Sequence, residues 1–410
     1  MANLLSQGMF LFLSGEASRN AGNNRAEHGR FYKDNFSRLF EGMDWAHLDT
    51  VDDLLRQIRM EEVEEVKTKM IRHLIEKKRI TSFYGCYLIV IDATGVTTYD
   101  EDARGDLLYR KAKSGKKTFL NIMLEAKLVT PEGLSLSIAS EPLTNADIAS
   151  YQKQDCELKA FTRIARKIKK NFPRLPACLL LDGIYANNTV FDICEDNGWK
   201  YIVTLKDGCL GLLQQDVLDR EEAARLRFER PVAVKQGRDT VYVNSCYQCI
   251  ERLRHKEHIV NWIECICPQP RKKENEEAMM KRFVYLTNLS LHKEPSQKQG
   301  IIMKIVQAGR LRWKIENEGF NTQKNHGYHL HHKFSRCSVA TLHVYYILLQ
   351  MAHMINQLVQ HTRPVVALLK RYPKLTIRYL WDKLRQIMES SLLSYDRLMQ
   401  NKIRCQIRLE

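Results

Sequence analysis

Two aspartates in the chain each follow a short run of apolar residues. The run at residues 86–91 ends at Asp92, and the run at residues 177–181 ends at Asp182. Runs of this kind are typical of strands that are buried on both faces, and ligands gather at the carboxyl ends of parallel strands in an open sheet. If the two strands are neighbours, the carboxylates supply hard oxygen ligands that suit Mg²⁺. The alternative is that each aspartate is an ordinary strand-end residue.

Paired carboxylates at strand ends favour phosphoryl chemistry. Two divalent ions held by carboxylates can activate a water or a 3′-hydroxyl and stabilise the leaving oxygen of an in-line displacement. A third carboxylate would come from a helix packed on the same sheet. The segment 312–320, which we expect to be helical, offers Glu316 and Glu318.

The phase of that helix relates the two glutamates to Arg312. At about 100° per residue, Glu316 lies about 40° round the helix from Arg312, whereas Glu318 lies about 240° round. Arg312 and Glu316 therefore share a face. This arrangement suits either an arginine that grips a phosphate beside a metal-bound glutamate or an ordinary surface ion pair. Lys324 lies about 80° from Glu316, within reach of the same phosphate chain.

The elements that must position these side chains follow an α/β order. Between residues 85 and 205 the patterns predict a strand, a hairpin, a helix, a strand, a short helix and a strand. This is the order of an RNase H-like core, a mixed sheet flanked by helices that uses strand–helix–strand crossovers.

The rest of the chain divides into four further segments. We expect a helical N-terminal segment at 1–80 and an all-β insertion at 206–299. A second part of the core, carrying the glutamate helix, is expected at 300–362, followed by a basic helical tail at 363–410.

Composition points to a polyanionic partner. The chain of 410 residues has 64 Lys and Arg against 48 Asp and Glu, a net charge of +16, which favours nucleic acid over small metabolites. The eleven cysteines are an odd number scattered along the chain, which favours a reducing cytoplasm over a secreted disulfide scaffold. No apolar stretch approaches the roughly 20 residues of a membrane span, so no membrane association is expected.

The motifs together resemble those of the DDE transposases of bacterial insertion sequences. The similar group is the cut-and-paste one, with an RNase H-like core and a β insertion before the catalytic glutamate. The resemblance extends from about residue 86 to 360. Its three acidic motifs are Ile91-Asp92-Ala93-Thr94, Leu181-Asp182-Gly183-Ile184-Tyr185 and Arg312-Trp313-Lys314-Ile315-Glu316.

The resemblance implies a metal-dependent enzyme that cuts DNA at element ends and joins them to target DNA. Asp92, Asp182 and Glu316 would bind two Mg²⁺ or Mn²⁺ ions, Arg312 would hold a phosphate, and a homodimer would act on paired ends of double-stranded DNA. The helical segment at 1–80 would recognise those ends. Two positions depart from the pattern: a Tyr expected three residues before Arg312 is Gly309, and a Lys expected seven residues after Glu316 is Gln323.

These departures keep several alternatives open. Lys324, one residue beyond Gln323, would take the phosphate contact, and Glu318 is a fallback ligand. The chain would otherwise be a domesticated or inactive transposase that only binds DNA, or an RNase H-like nuclease without strand transfer.

Other residues have two possible roles each. Cys246, Cys249, Cys265 and Cys267 would form a zinc clip or be buried strand residues, and His326, His329, His331 and His332 would bind metal or line a DNA-facing loop. Glu141 and Asn145 would orient the metal site or complete a turn.

Trp262 and two basic runs each have one interpretation as a nucleic-acid contact and one as an ordinary structural feature. Trp262 would stack on an unpaired base or pack in the sheet. The basic runs at 163–170 and 271–273 would contact phosphates or be solvated faces.

Overall fold

The computed structural model describes residues 2–78, 80–145, 155–206, 208–220, 225–236, 239–268, 280–291, 294–394 and 396. The fold is α/β, with one large mixed sheet. The basic run predicted at 271–273 lies outside the described residues, as does most of the tail beyond residue 394. No helix of the described part is both long and apolar enough to cross a membrane.

The chain divides into two compact units. The first comprises residues 1–81, 93–172 and 314–410, and the second comprises residues 82–92 and 173–313. Strand β1 (Tyr87–Tyr99) runs through both, with residues 87–92 in the second unit and the remainder in the first.

The first unit is mostly helical. Its α-helices are α1 (Ala2–Leu13), α2 (Arg19–His28), α3 (Tyr32–Leu39), α4 (Leu48–Leu55), α5 (Met60–Glu76), α6 (Glu157–Asn171), α10 (Thr322–Asn325), α11 (Val339–Gln360), α12 (Arg363–Arg371) and α13 (Ile377–Ser390). Its strands are the end of β1, β2 (Leu108–Lys111), β3 (Lys117–Val129) and β4 (Ser135–Leu143). β3 pairs antiparallel with both β2 and β4, and it also neighbours β1.

Helix α11 forms the centre of the first unit's core. Its sequence is apolar on nearly every side, which is the pattern of a buried helix, and most of its residues are buried. The Ser338 side chain caps its start by accepting a hydrogen bond from the Thr341 N–H. Apolar side chains from α1, α4 and α5 join it in one cluster.

The second unit contains the parallel part of the sheet. Its strands are the start of β1, β5 (Ala177–Leu181), β6 (Lys200–Leu205), β7 (Leu226–Gln236), β8 (Asp239–His255), β9 (His258–Pro268) and β10 (Met280–Thr287), and its α-helices are α7 (Asn188–Asp196), α8 (Gly211–Asp219) and α9 (Pro295–Arg310). β1, β5 and β6 are parallel neighbours. β10, β9, β8 and β7 then follow in antiparallel order beyond β6.

The structure confirms the strands predicted at 177–181 and 200–205. The strand predicted at 86–91 is the first part of β1, which continues to Tyr99. The segment predicted as all-β contains β7 to β10, but helix α8 also lies in it. Leu213 and Val217, four residues apart, form the buried side of this nine-residue helix. Two apolar residues give too short a pattern to reveal a helix among alternating strands.

The segment around Arg312 and Glu316 is helical, as predicted, but it is not a regular α-helix. Helix α9 ends at Arg310, Leu311–Trp313 forms a 3₁₀ turn, and Ile315–Asn321 forms a π-helix that leads into α10. These turns differ from 3.6 residues per turn. The angle of about 40° between Arg312 and Glu316, calculated for an unbroken α-helix, therefore does not apply.

Candidate functional site

Asp92 lies within β1, and Asp182 directly follows the last residue of β5, the parallel neighbour of β1. The expectation that Asp92 ends its strand is wrong, because β1 continues through Asp92 to Tyr99. The register pairs Leu88 with Cys178 and Val90 with Leu180, and two further residues along each strand lead to the two aspartates. Neighbouring strands lie about 4.8 Å apart and residues two apart point to the same face. Continuing that register therefore places both carboxylates at one level on one face of the sheet.

Asp182 is held by donors on both sides of its carboxylate. Lys206 Nζ lies 2.9 Å from Asp182 Oδ2, and the Gly183 N–H donates to Asp182 Oδ1 at the start of a 3₁₀ turn. Burial raises the pKa of Asp182. The hydrogen bonds from Lys206 and Gly183, and the charges of Arg312 and Lys206, outweigh burial and leave this pKa below its usual value. The carboxylate is therefore ionised at neutral pH.

Arg312 lies against the other aspartate. Its Nη1 atom is 3.4 Å from Asp92 Oδ2, and its side chain is only 9% exposed. The centre of the Trp313 ring lies 4.8 Å from Arg312 Cζ, a cation–π contact that fixes the guanidinium from a second side. Because Arg312 acts on the pKa of Asp182 as well, its charge serves both carboxylates.

Glu316 and Glu318 lie in the π-helix of the first unit. Glu318 Oε1 is 2.6 Å from Lys314 Nζ, so this glutamate already forms an ion pair with its own helical neighbour. The choice of Glu316 over Glu318 as a ligand stays a prediction from the family resemblance.

Gln323, where the resemblance leads us to expect a lysine, is fully buried. Its Nε2 donates to Gln350 Oε1 at 2.8 Å and lies 2.9 Å from His353 Nδ1. Because the Gln323 amide is hydrogen-bonded in the core, it does not contact a phosphate at the surface. Lys324 is half-buried, and its Nζ lies 5.9 Å from the centre of the Phe320 ring.

The second unit thus brings together Asp92, Asp182 and Arg312, while Glu316 and Lys324 belong to the first unit. Two adjacent carboxylates fit a hard divalent cation as oxygen donors. Within the described ranges, no group of three or more His, Cys, Asp or Glu side chains is arranged to hold a metal ion. The third ligand remains a prediction.

Lys206 was not among the predicted site residues. It directly follows β6, the third parallel strand, just as Asp182 directly follows β5. The apolar run at 200–205 ends at this lysine, so the same strand-end reasoning would have found it.

The strand register argues against a zinc site formed by the four cysteines of β8 and β9. Cys265 lies opposite Tyr247, so it shares a face with Cys249 and Cys267. Cys246, three residues before Cys249 on the same strand, points to the opposite face. The four sulfurs therefore do not converge, although the C-x₂-C spacing suggested that they would.

The histidine cluster and the residues after the hairpin have structural contacts. His331 Nδ1 lies 3.0 Å from the Val96 carbonyl, and the His332 ring lies edge-on to Phe334. Glu141 pairs with Arg163 and Lys167 at 2.8 and 3.0 Å. Asn145 donates to the Leu107 carbonyl and accepts from the Asp155 N–H, as turn residues do.

The run at 163–170 is divided between the interior and the surface. Arg163 pairs with Asp155, and Lys167 pairs with Glu64, so these two side chains are occupied within the unit. Arg166 and Lys170 are exposed and remain candidates for phosphate contacts.

Trp262 is 4% exposed and packs in the sheet between Ile250 and Leu286 on the neighbouring strands. Its edge also lines a small pocket with Lys206 and Arg282. Packing therefore accounts for most of its surface, and a base would reach only the part that faces the pocket.

No protein-family model matches this sequence, and no curated protein matches it significantly.

Proposed function

We propose that the chain is a DDE-type DNA transposase that cleaves DNA at the ends of an insertion sequence and joins those ends to target DNA. Asp92, Asp182 and Glu316 are the proposed ligands of two Mg²⁺ or Mn²⁺ ions, and Arg312 and Lys324 are the proposed phosphate contacts. Two copies of the chain would act on paired ends.

The observation that carries the proposal is the pair of aspartates. Their strands are parallel neighbours in a register that pairs Val90 with Leu180. Continued by two residues, this register sets Asp92 level with Asp182, and Arg312 contacts Asp92. Two carboxylates and an arginine beside the carboxyl end of β5 suit a cation and a phosphate better than they suit an uncharged ligand.

The order of the elements supports the RNase H-like part of the proposal. Strand β1 is followed by the β3–β4 hairpin, α6, β5, α7 and β6, and the sheet order β3-β1-β5-β6 has β4 on the far side of β3. This is the order expected of an RNase H-like core, with β7 to β10 in the proposed insertion before Glu316.

The residues of the site have distinct roles in the proposed reaction. When bound, the metal ions activate the attacking oxygen and stabilise the leaving oxygen. Asp182 is ionised at neutral pH because Lys206 and Gly183 donate to it, so it binds a cation without first losing a proton. Arg312, fixed by Asp92 and Trp313, presents a planar donor to a non-bridging phosphate oxygen.

The test is a joining assay. Full-length protein is incubated with Mg²⁺, DNA that carries the sequences flanking its own gene, and a target plasmid. We expect cleaved ends and joined products with wild-type protein, and neither with Asp182→Asn. Asp219→Asn, which changes an exposed aspartate on α8, is the matched control and should retain both products.

The same assay separates the rival functions. Cleavage without joined products would favour a nuclease of the same fold. DNA binding without cleavage, unchanged by Asp182→Asn, would favour a DNA-binding protein derived from a transposase.

A further inference from the structure

Helix α9 approaches strand β10 too closely for any side chain at position 309. A Cβ atom at Gly309 would lie 2.4 Å from Tyr285 Cε1 and 2.8 Å from two other atoms of the same ring. The phenol ring of Tyr285 therefore occupies the space that a side chain at 309 would need. Glycine costs roughly 1 kcal/mol relative to alanine inside a helix, and the contact explains why it is found here.

Two rings on one face of β10 hold the last turn of α9. Phe283 and Tyr285 are two residues apart and so share a face. The centre of the Phe283 ring lies 5.1 Å from Arg310 Cζ, a cation–π contact. Tyr285 meets the same turn at Gly309 and is 1% exposed, so the ring is fixed by packing.

The turn held in this way leads directly to Arg312. Helix α9 ends at Arg310, and Arg312 lies in the 3₁₀ turn that follows. Burial raises the pKa of Tyr285, and the charges of Arg310 and Arg312 lower it, so the phenol lies within electrostatic reach of both guanidinium groups. From this turn Arg312 reaches Asp92.

We propose that Tyr285 is a positioning residue for Arg312: its ring, seated against Gly309, fixes the end of α9 so that the guanidinium faces Asp92 and Asp182. The proposal rests on the proposed function in taking Arg312 as the phosphate contact. It assigns to β10 a part in the reaction that none of the acidic motifs suggests. The competing explanation is that Tyr285 only fills the core.

A double-mutant cycle separates the two explanations. Single-turnover cleavage is measured for Tyr285→Leu, Arg312→Ala and the double variant, together with DNA affinity and thermal stability. Tyr201→Leu is the matched control, because Tyr201 is an equally buried tyrosine on β6 that stacks on Phe191. Both leucine variants should lose stability to a similar extent.

We expect Tyr285→Leu to slow cleavage by about 10- to 100-fold, the usual effect of losing a residue that orients a reactive group. DNA affinity should change less than about twofold, and Tyr201→Leu should slow cleavage less than about threefold. Tyr285→Phe, which keeps the ring, should cleave at close to the wild-type rate. In the Arg312→Ala background, Tyr285→Leu should have no further effect. Equal slowing in both backgrounds, or equal slowing by Tyr201→Leu, would overturn the proposal.

An NMR measurement tests the proposal without any reaction. In protein labelled with ¹⁵N-arginine, the Nε–Hε signal that disappears in Arg312→Lys belongs to Arg312. Tyr285→Leu and Gly309→Ala should shift or broaden this signal, whereas Tyr201→Leu should leave it in place. An unchanged Arg312 signal in Tyr285→Leu would refute the positioning role. A shifted signal in a protein that never cleaves DNA would refute the proposed function and leave the positioning role standing.

Discussion

At the scale of single residues, three of the acidic side chains are held by identified donors. Asp182 is held by Lys206 and Gly183, Asp92 by Arg312, and Glu318 by Lys314. A bound cation would take the place of the Lys206 ammonium beside Asp182. A bound phosphate would accept hydrogen bonds from Arg312 beside Asp92. The contact of Glu318 lies within its own helix.

If Glu316 is the ligand, as proposed, the two glutamates should respond differently to substitution. We expect Glu316→Gln to reduce metal-dependent cleavage to background, because it removes a proposed ligand. Glu318→Gln should lose only an i,i+4 ion pair, worth about 0.5 kcal/mol, and retain most of the cleavage rate. Measured rates in the opposite order would assign the ligand to Glu318.

Arg312 should not tolerate replacement by lysine. A lysine has a point charge and lacks the planar fork that a guanidinium offers to phosphate. We expect Arg312→Lys and Arg312→Ala both to lower the rate of cleavage, by about 10²–10³-fold for the alanine variant. Arg254→Lys makes the same substitution at an exposed position near the end of β8, and this control variant should cleave DNA normally.

The sequence identifies the two aspartates of the proposed site but not the tyrosine that packs against α9. Asp92 and Asp182 were identified because each ends an apolar run, and the prediction that their strands are neighbours is confirmed. Tyr285 was not identified, because its role depends on a close approach between β10 and Gly309 that no local pattern records.

At the scale of elements, α9 carries two glycines in opposite surroundings. At Gly300 no atom lies within 4 Å of the position of a Cβ, whereas at Gly309 the Tyr285 ring fills that position. Gly300→Ala should raise the free energy of unfolding by about 0.5–1 kcal/mol through helix propensity. Gly309→Ala should lower it by about 1–3 kcal/mol through overpacking.

Chemical denaturation of the two variants and the wild type checks this contrast. If Gly309→Ala were as stable as Gly300→Ala, the close approach of α9 to β10 would be wrong. In the Tyr285→Leu background the cost of Gly309→Ala should largely disappear, because the ring that it meets is gone.

Helix α11 gives the first unit a pH-dependent stability. His343 is 4% exposed and its Nε2 lies 2.9 Å from Asn121 Oδ1. Burial, with a smaller effect of Arg104, lowers the pKa of His343 from 6.5 to about 3. Below pH 6.5 the unfolded chain takes up a proton at this residue, and the folded chain does not until about pH 3, so stability falls as the pH falls through that window.

The dependence of the unfolding free energy on pH can be compared between the wild type and a His343 variant. His343→Gln should remove up to about 1.4 kcal/mol per pH unit from the dependence of unfolding free energy on pH below 6.5. His28→Gln, at an exposed position on α2, should leave the slope unchanged. Identical slopes for wild type and His343→Gln would show that the imidazole is protonated in the folded protein.

Apolar runs in the sequence predict the parallel strands but not the kind of helical turn that follows α9. The strands of the parallel sheet were predicted because each contains an apolar run, but β1 extends beyond its run to Tyr99. The change from α-helical to 3₁₀ and π geometry after Arg310 was missed because such turns use the same residue types as an α-helix. Gly319 in the π-helix is closely packed, since a Cβ there would lie 3.2 Å from Ser135 Oγ and 3.4 Å from Lys127 Cδ.

At the scale of the whole molecule, the net charge of +16 should govern DNA affinity. Each phosphate neutralised by a protein cation lowers the logarithm of the affinity by about 0.9 per decade of salt. We expect affinity for duplex DNA to fall by about 10³-fold between about 50 and 200 mM salt, as for six or more neutralised phosphates. Affinity that is independent of salt would contradict a role for the charge in DNA binding.

The most direct test of the central claim replaces a proposed ligand by a softer one. Cleavage of supercoiled plasmid is measured for Asp182→Cys in Mg²⁺ and in Mn²⁺ or Cd²⁺, with Asp219→Cys as the control. Thiolate is a poor ligand for Mg²⁺ and a good one for softer ions. We predict that Asp182→Cys is inactive in Mg²⁺ and regains cleavage in the softer ions, while the control cleaves in Mg²⁺ as the wild type does. Wild-type cleavage by Asp182→Cys in Mg²⁺ would show that the carboxylate does not hold the catalytic ion.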